Sequence, residues 1–269
     1  MRETQDSKDF SILSWYEKFE PIAMKTIILE LSDDILKCFQ YQNVSEESDN
    51  EDTERIETPL PQAFQDSLKS AFNTLGKPVF IKNNWHAPID AKMFSVGNTL
   101  KADTIDDIKL FLTTSGIIQE DFLTIKGIPF CLALRKWISI HPAAEFRCIV
   151  VNNVLRGITP RDWPTFYAHY KEDGPQIIDT LSNFFVENVK LRFPRENYTI
   201  DVVLSYPDRP FIMDFGPLNN KTNLYAFSWK EIGPLFYKDT PEEITPVFRY
   251  LESDIGIMTR ASALLKIQH

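Results

Sequence analysis

The order of β-rich and amphipathic stretches along the 269 residues predicts an α+β protein with largely antiparallel sheets. Three observations carry that reading. Two pairs of β-rich runs are joined by turn residues, Glu145–Asn152 with Val154–Ile158 and Tyr198–Ser205 with Pro210–Phe215. Several helical periodicities stand between isolated strands rather than in strict β–α–β alternation. Neither GxGxxG nor GxxxxGK[ST] occurs, which argues against a doubly wound parallel sheet with a glycine-rich phosphate loop.

Taken in order, Phe10–Phe19 reads as a short helix with Ile12, Trp15, Tyr16 and Phe19 on its apolar face, ended by Pro21. Thr26–Leu31 is a strand, and Ser32 caps a helix over Asp33–Phe39. Ser45–Glu57 is acidic without apolar periodicity, so 45–58 is expected to be a disordered insert. Pro61–Leu75 is an amphipathic helix through Phe64, Leu68, Phe72 and Leu75, stopped by Gly76. Pro78–Lys82 is a buried strand ending in a lysine, followed by a polar loop. Thr104–Leu112 is a helix with Asp107 placed for a capping box and Gly116 as its stop. Phe130–Trp137 is a strand ending in Arg135 and Lys136. After the first hairpin, helices are expected over Arg161–Tyr170 and Pro175–Arg192. The second hairpin occupies 198–217, and Ser228 with Glu231 opens a helix within Phe227–Phe236. Two lobes are expected, 1–130 and 131–269, the second carrying the 198–217 hairpin.

Composition narrows the function classes. With 43% hydrophobic residues and 20 Phe, the chain has material for a substantial core. No apolar run is long enough for a membrane span, and the N-terminus has neither a secretory nor a mitochondrial pattern. Three scattered cysteines argue against a zinc site or a disulfide framework and fit a cytoplasmic location. A net charge of −9 argues against nucleic acid as the main partner.

The second hairpin holds the sharpest signal. Centring its turn between Pro207 and Asp208 puts Asp201 opposite Asp214 and Val203 opposite Ile212. Facing carboxylates destabilise a sheet, so something positive belongs between them: a metal ion with phosphate oxygens, or a Lys or Arg from elsewhere. The alternative is a slipped register with both acids solvated. Lys82, Arg135, Lys136, Arg147 and Arg161 form a set of strand-associated cations, and Glu145, Asp162, Asp201 and Asp214 a matching set of acids. A polyanion with a divalent metal would satisfy both sets, as would ordinary surface ion pairs.

The segments FIKNNWHAPIDA, LALRKW, PAAEFRCIVVNNVLRGITPRDW and YTIDVVLS…FIMDFGP resemble the cell division cycle protein 123 family, with the match running from about Trp15 to Trp229. The family comprises eukaryotic factors that assist assembly of translation initiation factor 2. The resemblance implies an ATP-grasp-like fold whose two lobes hold ATP and Mg²⁺. It implies that Lys82 reaches the phosphates, that Trp85 and Ala87 lie near the nucleotide, and that Arg135, Lys136, Trp137 and Ile138 run past the adenine. Glu145 and Arg147 would sit beside the nucleotide, Arg161 on the phosphate side, and Asp201 and Asp214 on the metal. The γ subunit of initiation factor 2 is the implied partner, and the chain is expected to act as a monomer. One departure stands out: the family's D-F-N-P, whose asparagine binds metal, is here Asp214–Phe215–Gly216–Pro217. No general base or acceptor cradle is evident, so no catalytic residue is assigned. A carboxylate–amine ligase and a nucleotide-free scaffold are the alternatives.

Overall fold

The computed structural model describes residues 2–40, 59–205, 209–237 and 244–253. The acidic insert, the tip of the second hairpin and the last sixteen residues lie outside them. The chain divides into two compact units, one of residues 1–17 and 25–138, the other of 18–24 and 139–269. The divide falls at 138/139 rather than the expected 130/131. Residues 130–136 form the middle strand of the first unit's sheet and belong with the strands they pair.

Chain order begins with helices α1 (Arg2–Asp9) and α2 (Ile12–Phe19), then strand β1 (Thr26–Leu31) and helices α3 (Asp33–Lys37) and α4 (Gln62–Leu75). Strand β2 (Val79–Lys82) follows, then a 3-10 helix over Ile89–Phe94, helices α5 (Ile105–Thr114) and α6 (Gly116–Thr124), and strand β3 (Phe130–Lys136). The three strands form one antiparallel sheet in the order β1-β3-β2. One face of α4 is apolar, and its Phe64, Leu68, Phe72 and Leu75 join Ile81, Leu132 and Leu134 in the core. Gly76 ends that helix at φ +77°, a left-handed conformation that costs glycine little. The capping box of α5 forms as expected: Asp107 N donates to Thr104 Oγ1 at 3.0 Å and Thr104 N to Asp107 Oδ2 at 2.9 Å. Gly116 does not stop the chain, because Ser115 Oγ accepts from Ile118 N and caps α6.

The second unit is built on strands β4 (Glu145–Val151), β5 (Val154–Pro160), β6 (Tyr198–Val203), β7 (Phe211–Pro217) and β8 (Val247–Phe248), with helices α7 (Tyr170–Asn188) and α8 (Trp229–Ile232). Its sheet runs β7-β6-β4-β5-β8, antiparallel except for the short β5–β8 pair. Asn152 and Asn153, at φ 54° and 59°, make the tight β4–β5 turn. In place of two helices over 161–192 there is one, because Pro164 disfavours helical backbone at Trp163. Pro175 lies inside α7, where a proline's fixed φ is compatible with helix and one backbone bond is lost. The capping box of Ser228 and Glu231 opens α8, and a 3-10 turn over Gly233–Tyr237 continues it. Among the described residues no helix is long and apolar enough to cross a membrane.

The second hairpin pairs as expected at its base, Tyr198 opposite Pro217 through Asp201 opposite Asp214. Beyond that point the register shifts by one, so Val202, not Val203, faces Ile212. Met213 is the extra residue of a β-bulge. The bulge turns Ile212 inward to full burial, although the uninterrupted alternation puts it on the face of the aspartates.

Candidate functional site

In the first unit the sheet places two cations on one face. Phe80 pairs with Arg135 and Lys82 with Ala133, so Lys82 and Arg135 project from the same side while Ile81 and Leu134 enter the core on the other. Both cationic side chains are buried. Arg135 Nε donates to Thr26 Oγ1 at 3.0 Å. Below Lys82 lies Cys131, whose thiol burial raises to a pKa of about 12 although the lysine charge opposes that rise. Lys136 is exposed on the opposite side. Trp137 packs against Phe80 with ring centroids 6.4 Å apart, its backbone N donates to Pro78 O, and Ile138 is exposed.

The loop after β2 is tightly built. Asn83 Oδ1 accepts from the backbone N of Trp85 at 2.8 Å and of His86 at 2.7 Å. Trp85 stands edge-on to Phe130 and donates its indole N–H to Ser7 O, which anchors the ring in the protein. Ala87 is half-buried beside it. The sequence reading missed Asp121 on α6. Its Oδ2 accepts from Asn83 Nδ2 at 2.7 Å and lies 2.7 Å from His86 Nδ1. With α6 unrecognised, nothing in the sequence linked Asp121 to a histidine thirty-five positions earlier.

In the second unit register builds a charged row across four strands. Asp214 on β7 faces Asp201 on β6, Asp201 faces Arg147 on β4, and Arg147 faces the buried Thr159 on β5. Arg147 grips Asp201 with a two-pronged fork, Nε to Oδ1 at 2.7 Å and Nη2 to Oδ2 at 2.8 Å. Arg161 follows β5 and its backbone N donates to Glu145 O, which brings its side chain to the row. Its Nε lies 3.4 Å from Asp201 Oδ2 and its Nη1 3.1 Å from Glu145 Oε2. Of the two positive occupants open for the aspartate pair, arginine from the chain itself stands against Asp201.

The electrostatics follow from this packing. Burial raises the Glu145 pKa, and the Asp201 charge adds to the rise against the pull of Arg161. Burial alone would lower that of Arg147, but the Asp201 carboxylate outweighs it and the net shift is upward. Arg161 is raised further, first by Asp201. A loop also closes on the arginines. Arg147 Nη1 donates to Asn223 O at 2.9 Å, its guanidinium lies 5.0 Å from the centre of the Tyr225 ring, and Tyr225 adds to the rise of the Arg161 pKa. Tyr225 has φ +51°, a conformation uncommon outside glycine.

The donor chemistry suits a hard cation only in part. Two carboxylates on neighbouring strands match the way Mg²⁺ is held, by one or two protein acids with phosphate and water completing the shell. Among the described residues no group of three or more His, Cys, Asp or Glu gathers. Gly216 adds no side-chain oxygen, and a Cβ there would stand 2.8 Å from Thr199 Oγ1. Thr199 occupies the space that a side chain at 216 would need.

The site and the fold define an α+β protein of two units whose antiparallel sheets carry buried charge. The D123 family model matches residues 37–268, and the chain belongs to that family. A relative from Xenopus tropicalis, named "Translation initiation factor eIF2 assembly protein", is 28% identical over 280 residues, covering 90% of this chain and 84% of that protein. A Dictyostelium discoideum protein of the same name is 31% identical over 196 residues, 70% of this chain and 51% of its own. The solved structure of Cdc123 from Schizosaccharomyces pombe superposes with a TM-score of 0.79 at 23% identity, covering 93% of this chain and 98% of that one, and shows the shared fold.

Proposed function

We propose that this chain is a cytoplasmic assembly factor for translation initiation factor 2 that binds ATP with Mg²⁺ and docks the γ subunit. Family membership and the names of its relatives support the assembly role. The observation that carries the nucleotide part is the charged row, in which Asp201 faces Asp214 with Arg147 and Arg161 beside them. On this reading the fold is ATP-grasp-like, and the bound metal neutralises phosphate charge. Asp214 and Asp201 hold the metal, Arg161 and Arg147 orient the phosphates, and Glu145 fixes Arg161. Lys82 and Arg135 are the phosphate and nucleotide cations of the first unit. Trp85, Ala87, Lys136, Trp137 and Ile138 frame the base. Against the two arginines stand Asp201, Asp214 and Glu145, so the row is formally negative and a free polyphosphate would need the metal's charge to enter it.

Isothermal titration tests this. ATP with Mg²⁺ is expected to bind saturably, ATP with chelator at least tenfold more weakly, and Asp214→Ala to lose the magnesium effect. Purified γ subunit is expected to be captured by the wild-type chain.

A second reading, a scaffold without nucleotide, is favoured by two features: Arg147 already grips both oxygens of Asp201, and Gly216 lacks a side-chain ligand atom. Absence of saturable ATP uptake together with capture of the γ subunit would establish it.

A further inference from the structure

The second unit has a cavity that the charged row does not use. Its volume is about 900 Å³, and it lies between α7, the β4–β5 turn and residues 244–246. Helix α7 covers the face of the sheet away from the row, since Phe146, which alternates with Arg147 on β4, meets Tyr170 of that helix with ring centroids 6.0 Å apart.

One wall of the groove is an open strand edge. Strand β8 pairs only with Gly157 and Ile158, and Pro246 just before it has no N–H with which to extend the ladder. Val154 and Leu155, which line the cavity, are left without a strand on that side among the described residues. The other wall is α7, where Ile178, Asp179, Ser182, Phe185 and Val186 line the cavity, with Lys190 just past its end. Val186 is 59% exposed. Ser182 Oγ is buried without a hydrogen-bond partner among the described residues, and neither Asp179 nor Lys190 has an ion pair there.

We infer that this groove takes an extended peptide segment of a partner protein, laid along the β5 edge, with a cationic side chain at Asp179 and a carboxylate at Lys190. Main-chain hydrogen bonds to the open edge supply affinity, and a side chain set against Phe185 and Val186 supplies specificity. The two charges are eleven residues apart, about 16 Å at 1.5 Å per helical residue. An extended chain covers that span in about five residues. A second copy of this chain is disfavoured, because a two-fold contact would set groove against groove and fill neither. Residues 254–269 are disfavoured, because β8 runs parallel to β5 and the chain leaves it past Ile158, toward Phe166 and away from Val154. The inference adds a site to the second unit and does not depend on nucleotide.

The test uses isotope-labelled full-length chain and two capped peptides, Lys-Val-Thr-Val-Glu and Glu-Val-Thr-Val-Lys, which offer the charges in both chain directions. One of them is expected to shift the amide resonances of Val154, Leu155 and Ser182 saturably. The neutral peptide Gln-Val-Thr-Val-Gln is expected to bind about fivefold more weakly, the worth of two exposed ion pairs. Val186→Asp is expected to weaken binding at least tenfold at an unchanged melting temperature, and Asp179→Asn with Lys190→Gln to bind all three peptides alike. No saturable shift with either charged peptide, equal binding of the neutral one, or unchanged binding by Val186→Asp overturns the proposal. So does a shift of the amides of residues 254–269 as the peptide enters, which assigns the groove to the chain's own segment. A wild-type dimer in sedimentation that Val186→Asp dissolves assigns it to a second copy and overturns the proposal as well.

Discussion

Asp121 in the first unit and Asp201 in the second are buried to nearly the same degree, 6% and 7% exposed, yet are kept in opposite ways. Asp121 accepts from a neutral amide and faces a histidine that is itself exposed. Asp201 is gripped by a guanidinium fork and flanked by a second arginine. Burying a carboxylate is costly in both places. In the first it is offset by hydrogen bonds that an uncharged side chain would partly reproduce. In the second it is offset by charges that would be stranded without it. The teaching is that equal burial does not mean equal dependence: what matters is what the carboxylate's removal leaves behind.

The largest expected effect breaks the second arrangement. Asp201→Asn deprives Arg147 and Arg161 of a shared counter-charge and is expected to cost about 3–5 kcal/mol, read as a lower urea midpoint and faster hydrogen exchange in β4 and β6. Asp121→Asn keeps an acceptor for Asn83 and is expected to cost about 1–3 kcal/mol, with faster exchange confined to α6 and the 83–86 loop. Equal losses in the two variants would dissolve the contrast.

A smaller effect sharpens the metal question. Gly216→Asn drives a Cβ against Thr199 Oγ1 and is expected to destabilise by about 1–3 kcal/mol. Gly216→Asn with Thr199→Ala relieves that clash and is expected to bind Mg²⁺–ATP several-fold more tightly than wild type in a titration. No gain in the double variant would mean that position 216 does not face the metal.

The smallest effect concerns a pair near the surface. Glu231, hydrogen-bonded to Arg249 and to its capping partner Ser228, has its pKa lowered from 4.5 to about 2. A lowered folded-state value gives stability present above 4.5 and lost as pH falls toward 2. Glu231→Gln is therefore expected to flatten the acid limb of the stability curve between those values and to leave its slope near pH 7 unchanged. For Glu145 the sign reverses. Its folded value is raised, so its favourable contribution is present below 4.5 and is lost as pH climbs past it.

Much of this was legible in the chain, for local reasons. The register read from the turn residues put Asp201 opposite Asp214, but the pairs nearer the turn are offset from it by one, and the bulge at Met213 is what brings the two aspartates face to face. The capping boxes at Thr104 and Ser228 followed from side chains three residues apart. Helix α6 was hidden because a glycine after a helix reads as a stop, whereas Ser115 before it made Gly116 a first turn. The arginine fork was only one of two options from sequence, because long-range register between β4 and β6 decides which cation meets Asp201. The loop over the arginines depends on Arg147 finding the carbonyl of Asn223, seventy-six residues on. No period or motif encodes a contact of that kind.

The extra residue at Met213 bears on how this hairpin tolerates changes of length. Position 212 points inward and position 214 toward the acid row, although they are two apart, and the additional residue is what separates them. Excising Met213 would leave a regular ladder in which both neighbours still point where they now do. Adding a residue next to it would set the two three apart, which again puts them on opposite faces, so the hairpin is expected to tolerate a change of one residue in either direction at that point.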